Sequence, residues 1–435
     1  MTIMSRAIVP SAEAAYSGSL RYRDYASQYL ANGVSSTPRA AQRPVPLAIE
    51  HARGAVVTDV DGNDYIDYTM GYGPLILGHS PVPVIERLKA EIDKGFRTAS
   101  VHPSEGCLAE LIAETVPCAE MTSFVSSGTE AVQLALRIAR AVTGRTKIVK
   151  FRSNYHGWFD NIHIANNPGN DGPSSAGQDP QAANNVTLVD WGDSDALASV
   201  LCDEYAAVIL EAAAINAGCF APPAGFLQVA RDLTRRHGAV LIFDEVISGF
   251  RLGLGGAQAV YGITPDMAVL GKALGAGLPI SAVTGNRAVM APLVDGRVLH
   301  RGTFNGNPLS VGAAVACVEY LRTHAAEIYP RMEAQGEDIA SHFNTEARAL
   351  DLDFCANRIG SAIQLFAGMR RLDRIDDLAK ADKIKVVKLT EACVLNGLNP
   401  LPRGLMYLSA SHTPEQIAAT KEAFSHILRS FKSGA

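Results

Sequence analysis

Charged side chains stand where apolar, strand-like runs end in the middle of this sequence. Asp244 and Glu245 follow the apolar run 239–243, Glu211 follows "AAVIL", and Lys272 comes directly after "MAVLG". A buried carboxylate is unfavourable without a partner, so two adjacent acids at the tip of a buried strand require a cationic or hydrogen-bonding group from elsewhere in the chain. Ligands of open α/β sheets bind at the carboxyl ends of the strands, and we therefore expect these residues to share one site.

A short polar segment at the start of a helix-like stretch could bind an anion. Ser127, Gly128 and Thr129 follow the run "TSFVS" and open that stretch. Backbone N–H groups and the positive end of the helix dipole at such a position suit a phosphate. The alternative is a plain helix cap, in which Ser127 and Glu130 form a capping box. The segment is not a nucleoside triphosphate loop, because "GKAL" lacks Ser or Thr after its lysine, and "GLGGAQ" does not follow a strand as a dinucleotide-binding loop does.

The lysine and the acids together suggest a cofactor. Most lysines are exposed, but one surrounded by apolar residues has its charge disfavoured and becomes a candidate amine nucleophile. A Schiff-base lysine, a phosphate cradle and a strand-end carboxylate are what pyridoxal 5′-phosphate (PLP) needs. Lys272 would supply the amine, and Asp244 would keep the pyridine nitrogen protonated. Glu245 would face the other way and join a structural hydrogen-bond network.

Composition excludes several other classes of protein. Of 435 residues, 47% are hydrophobic and 19% charged, which is typical of a globular protein, and the net charge of −5 gives no sign of a nucleic-acid or anionic-membrane partner. The seven cysteines are scattered, which argues against a disulfide framework or a zinc site and for a reducing compartment. The first 15 residues lack the apolar core of a signal peptide, and the most apolar stretch, 206–222, contains Glu211 and Asn216. We expect a cytoplasmic protein without a metal ion or a membrane span.

The elements that position the site alternate between strand and helix. Such alternation from about residue 105 to 300 predicts an α/β fold with a mostly parallel, seven-stranded sheet covered on both faces. An amphipathic segment over 20–31 and a hairpin turned by Asp61 and Gly62 precede it. We predict three parts: an amino-terminal segment (1–70) that packs with the small domain, a large cofactor-binding domain (71–310) and a small domain (311–435). The predicted strands are "TSFVSS", "KIVKF", "VTLVDW", "AAVILEA", "AVLIFDE", "MAVLG" and "ISAVTG".

Motifs along nearly the whole chain, in this order, resemble class III aminotransferases of PLP fold type I. The resemblance is greatest to the glutamate-1-semialdehyde aminomutase branch, which includes β-amino acid and D-phenylglycine aminotransferases. It implies a large domain built on the mostly parallel sheet and a smaller α+β domain. The motifs that carry it are "GVSSTPRA", "DVDGNDYIDY", "LGHS", "SSGTEAVQLALRIARAVTGR", "NYHGW", "FDEVISGFR", "LGKALGAGLP" and "GTFNGNP".

The resemblance implies a role for each residue of the cofactor site. Lys272 would form the Schiff base and move the proton, and Asp244 would contact the pyridine nitrogen. Tyr155 would stack on one ring face and Val246 on the other, although Tyr155 taken alone could be a core aromatic. Phosphate would be bound by Ser127, Gly128 and Thr129, with Thr303 from a second subunit, and other cofactor contacts would come from His156, Glu211 and Asn216. Because family members are dimers with the site at the subunit interface, a homodimer is implied.

Two arginines bear on the substrate. Arg39 and Ser35, in "SSTPRA", resemble the segment whose arginine holds the substrate carboxylate, which a guanidinium can bind bidentately. Arg403 lies in a Pro-Arg-Gly turn where aminomutases carry a glutamate. The same turn resembles β-amino acid aminotransferases, in which the arginine binds the carboxylate of the oxo-acid acceptor. Either arginine could instead be a surface residue.

Other departures from the aminomutase pattern favour transfer between two molecules. The loop 165–185 lacks the Gly-Ser-rich gating sequence of aminomutases, and "NYHGWFD", "DEVISGFR" and "VLHRGTFNGNP" resemble the D-phenylglycine enzyme. Ala212, where many relatives have proline, bears only on the local backbone geometry. We therefore predict a PLP-dependent aminotransferase with an amino donor and a 2-oxo acid acceptor as its small-molecule partners. The donor would be a β-amino or D-amino acid, and the acceptor 2-oxoglutarate or pyruvate. The alternatives are a glutamate-1-semialdehyde 2,1-aminomutase and a non-catalytic sensor or scaffold with the same fold, against which the intact Lys272, Asp244 and Tyr155 argue.

Overall fold

The computed structural model describes residues 15–166 and 169–434. The expectation of no leader rests mainly on residues 1–14 and lies outside them. The strands are β1 Ile49–Arg53, β2 Val56–Asp59, β3 Asp64–Asp67, β4 Met121–Val125, β5 Lys147–Phe151, β6 Val186–Val189, β7 Tyr205–Leu210, β8 Val240–Glu245, β9 Met267–Leu270, β10 Ser281–Gly285, β11 Phe354–Ile359, β12 Ala362–Ala367, β13 Leu398–Asn399 and β14 Leu405–Tyr407.

The same residues form helices between and after these strands. The α-helices are α1 Ser17–Ala26, α2 Val82–Asp93, α3 Pro103–Thr115, α4 Gly128–Thr143, α5 Ser194–Val200, α6 Phe226–His237, α7 Gly256–Tyr261, α8 Arg287–Val294, α9 Pro308–Ala349, α10 Lys383–Leu395 and α11 Pro414–Ser433. The 3₁₀ turns are Ala31–Gly33, Thr37–Ala41, Met70–Tyr72, Lys272–Gly275 and Ile375–Lys380.

The largest sheet has seven strands in the order β4-β10-β9-β8-β7-β5-β6. β10 runs antiparallel to both of its neighbours, and the other pairs are parallel. This confirms the predicted sheet, and each of the seven predicted runs overlaps one of its strands. Every residue of β7 and β8 is buried, as expected of parallel strands that helices cover on both faces.

Helix α4 is positioned by its own sequence. Ser127 caps its start by accepting a hydrogen bond from the Glu130 N–H, and Gly144 ends it in a left-handed conformation. Apolar residues at positions 131, 134, 135 and 138 form one buried face, which packs on strands of the central sheet. The start of α4 is thereby held at the carboxyl ends of the parallel strands.

Two smaller sheets flank the large one, with strand orders β1-β2-β3-β13 and β11-β12-β14. The hairpin predicted at Asp61 and Gly62 is the β2–β3 connection, in which Val57 lies opposite Tyr65. β13 pairs with β3 in parallel, so a strand close to the carboxyl end of the chain completes the amino-terminal sheet. The domain boundaries at residues 70 and 310 stay predictions.

Two further observations concern the chain as a whole. Within residues 15–166 and 169–434, no helix has both the length and the apolar character that crossing a membrane requires. All seven cysteines are free thiols, and five of them are buried.

Candidate active site

The predicted lysine and acids lie on three adjacent parallel strands. Phe243 of β8 pairs with Leu210 of β7, so Glu211 and Asp244 occupy neighbouring positions at the carboxyl edge of the sheet. Lys272 follows β9, which pairs with β8 on its other side. Both acids are buried and Lys272 is partly buried. The structure therefore brings Glu211, Asp244 and Lys272 together at one edge of the sheet, as the sequence predicted.

Asp244 has two protein partners. Its Oδ2 lies 2.7 Å from Nδ1 of His156, and its Oδ1 accepts the Val246 N–H at 3.1 Å. Burial lowers the pKa of His156, against the effect of the nearby Asp244 charge. Nε2 of His156 has no hydrogen-bond partner in the part of the chain that the structure describes. His156 therefore fixes the carboxylate from one side while its second nitrogen remains free.

Glu211 accepts hydrogen bonds mainly from backbone groups. Its Oε1 accepts the Tyr155 N–H at 2.9 Å, and its Oε2 accepts the Asn216 N–H at 3.2 Å. Burial, and secondly the charge of Asp244, raise the pKa of Glu211 to about 7. The Tyr155 side chain remains 41% exposed, with its ring edge-on to His163, so it is available to a ligand.

Glu245 has the structural surroundings that the sequence predicted. It is fully buried and accepts hydrogen bonds from the Ser248 hydroxyl at 2.9 Å and the Ala257 N–H at 2.5 Å. Both the backbone and the side chain of Gln258 donate to it as well. The two adjacent acids thus serve different networks.

The start of α4 forms a confined cradle. The Ser127 hydroxyl accepts the Glu130 N–H and donates to the Glu130 carboxylate at 3.0 Å. That carboxylate accepts the N–H of Ser126 rather than that of Ser127, so Ser127 is a helix cap without a complete capping box. The first N–H groups of a helix, here those of Gly128 and Thr129, cannot have intrahelical acceptors. A Cβ at Gly128 would lie 3.2 Å from Val246, and one at Gly157 would lie 2.9 Å from the Thr129 hydroxyl. The Ser127 cap and an anion cradle are therefore compatible.

Lys272 has a strained backbone and a perturbed amine. Its φ of 43° lies in the left-handed region, which is costly for a lysine and is often found at functional sites. Burial and, secondly, the charge of Arg403 lower the pKa of Lys272 to about 8, while the charges of Glu211 and Asp244 oppose the shift. A substantial fraction of the amine is therefore neutral at mildly alkaline pH.

This shift predicts a labelling experiment on the cofactor-free protein. Only the neutral amine reacts with acylating reagents, so labelling of Lys272 should rise with a midpoint near pH 8, the value that its pKa sets. Lys147, an exposed lysine paired with Glu204, is the matched control because this partner raises its pKa. Mass spectrometry of labelled peptides should give Lys147 the higher midpoint. Equal midpoints would contradict the proposed environment of Lys272.

Arg403 is exposed, but its guanidinium is fixed. One nitrogen donates to the Asn216 carbonyl at 2.7 Å and another to the Asn216 side-chain oxygen at 2.8 Å. The charges of Arg39 and Arg403 both oppose the rise that burial causes in the pKa of Tyr72. The two arginines therefore lie near one tyrosine, although they come from opposite ends of the chain. Within the part of the chain that the structure describes, no hydrogen bond or ion pair joins Ser35 or Thr303 to these arginines or to Tyr72. Both residues are exposed.

Sequence reasoning missed Tyr72 and gave no role to Arg251. Residues 70–73 all have positive φ, and the only signal in the sequence was the Gly-Tyr-Gly spacing. Arg251 is buried and donates to the carbonyls of Gly73 at 2.5 Å and Leu408 at 3.0 Å. It thus holds the Tyr72 loop against the carboxyl-terminal sheet.

The cluster fits the predicted cofactor. A cradle of free N–H groups matches a phosphate, a buried carboxylate matches a protonated ring nitrogen, and a lysine with a lowered pKa matches an aldehyde. The absence of a side chain at Gly128 keeps the space beside Val246 open. Tyr155 adds an exposed aromatic ring at the same edge of the sheet.

Comparisons with known proteins identify the family of the chain. Residues 37–349 match the family described as "Aminotransferase class-III". The chain is 39% identical over 412 residues to the glutamate-1-semialdehyde 2,1-aminomutase of Sulfurisphaera tokodaii, covering 93% of this chain and 97% of that protein. A solved transaminase with PLP bound has a TM-score of 0.88 at 28% identity, covering 96% and 99% of the two chains. The β-phenylalanine aminotransferase of Variovorax paradoxus gives 0.86 at 29% identity, covering 97% and 95%.

Proposed function

The chain belongs to the class III aminotransferases and is a PLP-dependent enzyme, and we propose that it moves the amino group of a β-amino or D-amino acid to a 2-oxo acid. 2-Oxoglutarate or pyruvate would be the acceptor. The observation that carries this proposal is the pair of arginines, Arg39 and Arg403. The charges of both act on Tyr72, and the charge of Arg403 also acts on Lys272.

Transamination between two molecules requires two carboxylates to be bound in turn. In a β-amino acid the carboxylate lies one carbon further from the reacting centre than it does in a 2-oxo acid. One arginine cannot serve both distances equally well, but two on separate segments can. Arg403 now donates to neutral oxygens of Asn216, and a substrate carboxylate would offer it stronger, charge-assisted hydrogen bonds.

Residues of the cluster would divide the chemistry among them. When bound, PLP supplies an electron sink that stabilises negative charge on the reacting carbon of the donor. Lys272 would hold the cofactor covalently and, once displaced by the donor amine, would move a proton at the reacting carbon through Nζ. The Asp244 carboxylate, oriented by His156, would keep a proton on the ring nitrogen by charge pairing.

Other residues would hold the cofactor in place. The N–H groups of Gly128 and Thr129, with Ser127, would bind the phosphate at the start of α4. Tyr155 and Val246 would face the two sides of the ring, with Glu211 and Asn216 fixing the surrounding loops. Thr303 would bind the phosphate of a second copy, so we also propose a homodimer. Its exposure together with that of the adjacent Phe304, 65% exposed, supports this contact.

Single-turnover experiments on the two arginines test the division of roles. Arg403→Ala should weaken the half-reaction with 2-oxoglutarate by about 10- to 100-fold, the value of a lost charge-assisted hydrogen bond. Arg39→Ala should weaken mainly the half-reaction with β-phenylalanine. Cofactor absorbance with each substrate alone measures both effects, and Arg43→Ala, an exposed arginine near Arg39, is the control. Equal loss in both half-reactions for both variants would refute the division.

A glutamate-1-semialdehyde 2,1-aminomutase is the second candidate. It is favoured by the 39% identity to an enzyme of that name over 97% of its length. The arginine at position 403, in place of the glutamate of the aminomutase pattern, argues for the aminotransferase. Conversion of glutamate 1-semialdehyde without any added acceptor would favour the aminomutase.

A further inference from the structure

We propose that Lys150 is a positioning residue that, together with Glu211, clamps the peptide group between Asn154 and Tyr155 and so sets the direction of the Tyr155 ring. The inference deepens the proposed function, because it rests on Tyr155 facing the cofactor. Lys150 belongs to β5, two strands away from Asp244 across the central sheet.

Lys150 is a buried cation with an unusual set of partners. Its side chain is fully buried, and Nζ donates to the carbonyls of Asn154 at 2.8 Å and Ile164 at 2.7 Å. Weaker contacts reach the Phe151 carbonyl at 3.4 Å and the Asn166 side-chain oxygen at 3.3 Å. Its contacts are all with neutral oxygens, and no carboxylate forms an ion pair with it among residues 15–166 and 169–434. Fully buried lysines are rare unless paired, so this ammonium requires an explanation.

The peptide group between Asn154 and Tyr155 explains the burial of this ammonium. The carbonyl that Lys150 binds belongs to Asn154, and the N–H of that same peptide group belongs to Tyr155. This N–H donates to the Glu211 carboxylate at 2.9 Å. A cation therefore holds the negative end of one planar unit while an anion holds its positive end. The peptide plane cannot rotate without losing both contacts.

A second bond strengthens the clamp. The Asn154 side-chain oxygen accepts the backbone N–H of Glu211 at 2.9 Å, so Asn154 is tied to both charged residues. His156, which follows Tyr155, is held by its contact with the Asp244 carboxylate. The segment 154–156 is thus fixed before any ligand arrives, and the Tyr155 ring is directed from a rigid backbone.

The charges of the two clamp residues depend on each other. Burial lowers the pKa of Lys150 to about 7, and the negative charge of Glu211 opposes that shift. Burial raises the pKa of Glu211. Each residue keeps its charge more easily when the other is charged, so substituting one should weaken the contribution of the other.

A double-mutant cycle tests this coupling. Apo-protein variants Lys150→Met, Glu211→Gln and the double variant are titrated by equilibrium dialysis with pyridoxamine 5′-phosphate, which binds without a covalent bond to Lys272. Lys150→Met should raise the dissociation constant by about tenfold or more, and the double variant should be weakened by less than the product of the single effects. Lys147→Met, on the same strand but exposed, should bind like the wild type. Independent effects, or a folded Lys150→Met that binds normally, would overturn the proposal.

Hydrogen–deuterium exchange tests the clamp separately from the role proposed for Tyr155 at the cofactor. In apo-protein the exchange of the Tyr155 amide should be slow in the wild type and at least tenfold faster in Lys150→Gln, a second variant that keeps a hydrogen-bond donor without the charge. Unchanged exchange in Lys150→Gln would refute the clamp even if Lys150→Met does not fold. Tyr155→Leu should alter the visible circular dichroism of the bound cofactor. If it does not, the proposed role of Tyr155 fails while the exchange result still decides the clamp.

Discussion

Replacing Lys272 with alanine is expected to abolish covalent attachment of the cofactor and to lower turnover by a factor on the order of 10³. The amine belongs to the second residue beyond β9, the charges of two buried acids act on it, and burial lowers its pKa to about 8. The exposed Lys147 lacks this burial, and the buried Lys150 donates from its amine to the backbone carbonyls of Asn154 and Ile164. Borohydride reduction of the holoenzyme followed by peptide mass spectrometry should place the cofactor on Lys272.

The control for this experiment is Lys147→Ala, which should retain both the tag and normal turnover. PLP should still bind to Lys272→Ala, because the phosphate cradle and Asp244 remain, but denaturation should release it. A tag on any other lysine in the wild-type protein would show that Lys272 does not bind the cofactor covalently.

The second large effect is expected from Asp244→Asn. A carboxylate beside a protonated nitrogen raises the pKa of that nitrogen, and a neutral amide does not. The variant should keep the cofactor attached to Lys272 but lose activity by about 10²-fold, which corresponds to two pKa units at the nitrogen. Absorbance of the bound cofactor and initial rates measure the two properties separately.

Glu245→Gln provides the matched control, because Glu245 is the adjacent, equally buried acid in a network of protein donors. Loss of that charge should lower the free energy of unfolding by about 1–3 kcal/mol and leave the turnover of the folded enzyme nearly unchanged. If Glu245→Gln reduced turnover as strongly as Asp244→Asn, the separation of the two acids into different networks would be wrong.

The sequence predicted the central sheet well for a physical reason. Parallel strands covered on both faces are continuous apolar runs, and all seven runs in this chain are strands of one sheet. The amino-terminal amphipathic segment coincides with a helix only in part: the pattern spans residues 20–31, whereas α1 spans Ser17–Ala26. Asn32 adopts a positive φ of 57° in the turn that follows, which a helix cannot contain.

The sequence predicted the charged residues of the site but not their hydrogen-bond partners. Acids and a lysine at strand ends are visible in a sequence, because topology brings the ends of parallel strands together. The partners of Glu211 are backbone N–H groups, which carry no sequence signal. Arg251 contacts Gly73 and Leu408, and no local pattern reveals partners so distant along the chain.

Transfer of labelled nitrogen shows directly whether this enzyme moves the amino group of a β-amino or D-amino acid to a 2-oxo acid. The purified holoenzyme would be incubated with ¹⁵N-labelled β-phenylalanine or D-phenylglycine, with and without 2-oxoglutarate or pyruvate, and with glutamate 1-semialdehyde in a parallel reaction. We expect ¹⁵N from at least one of these donors to appear in glutamate or alanine only when the matching oxo acid is present, with an equal amount of oxo product from the donor. Isomerisation of glutamate 1-semialdehyde without an acceptor, with no ¹⁵N transfer from either donor, would contradict the proposed function.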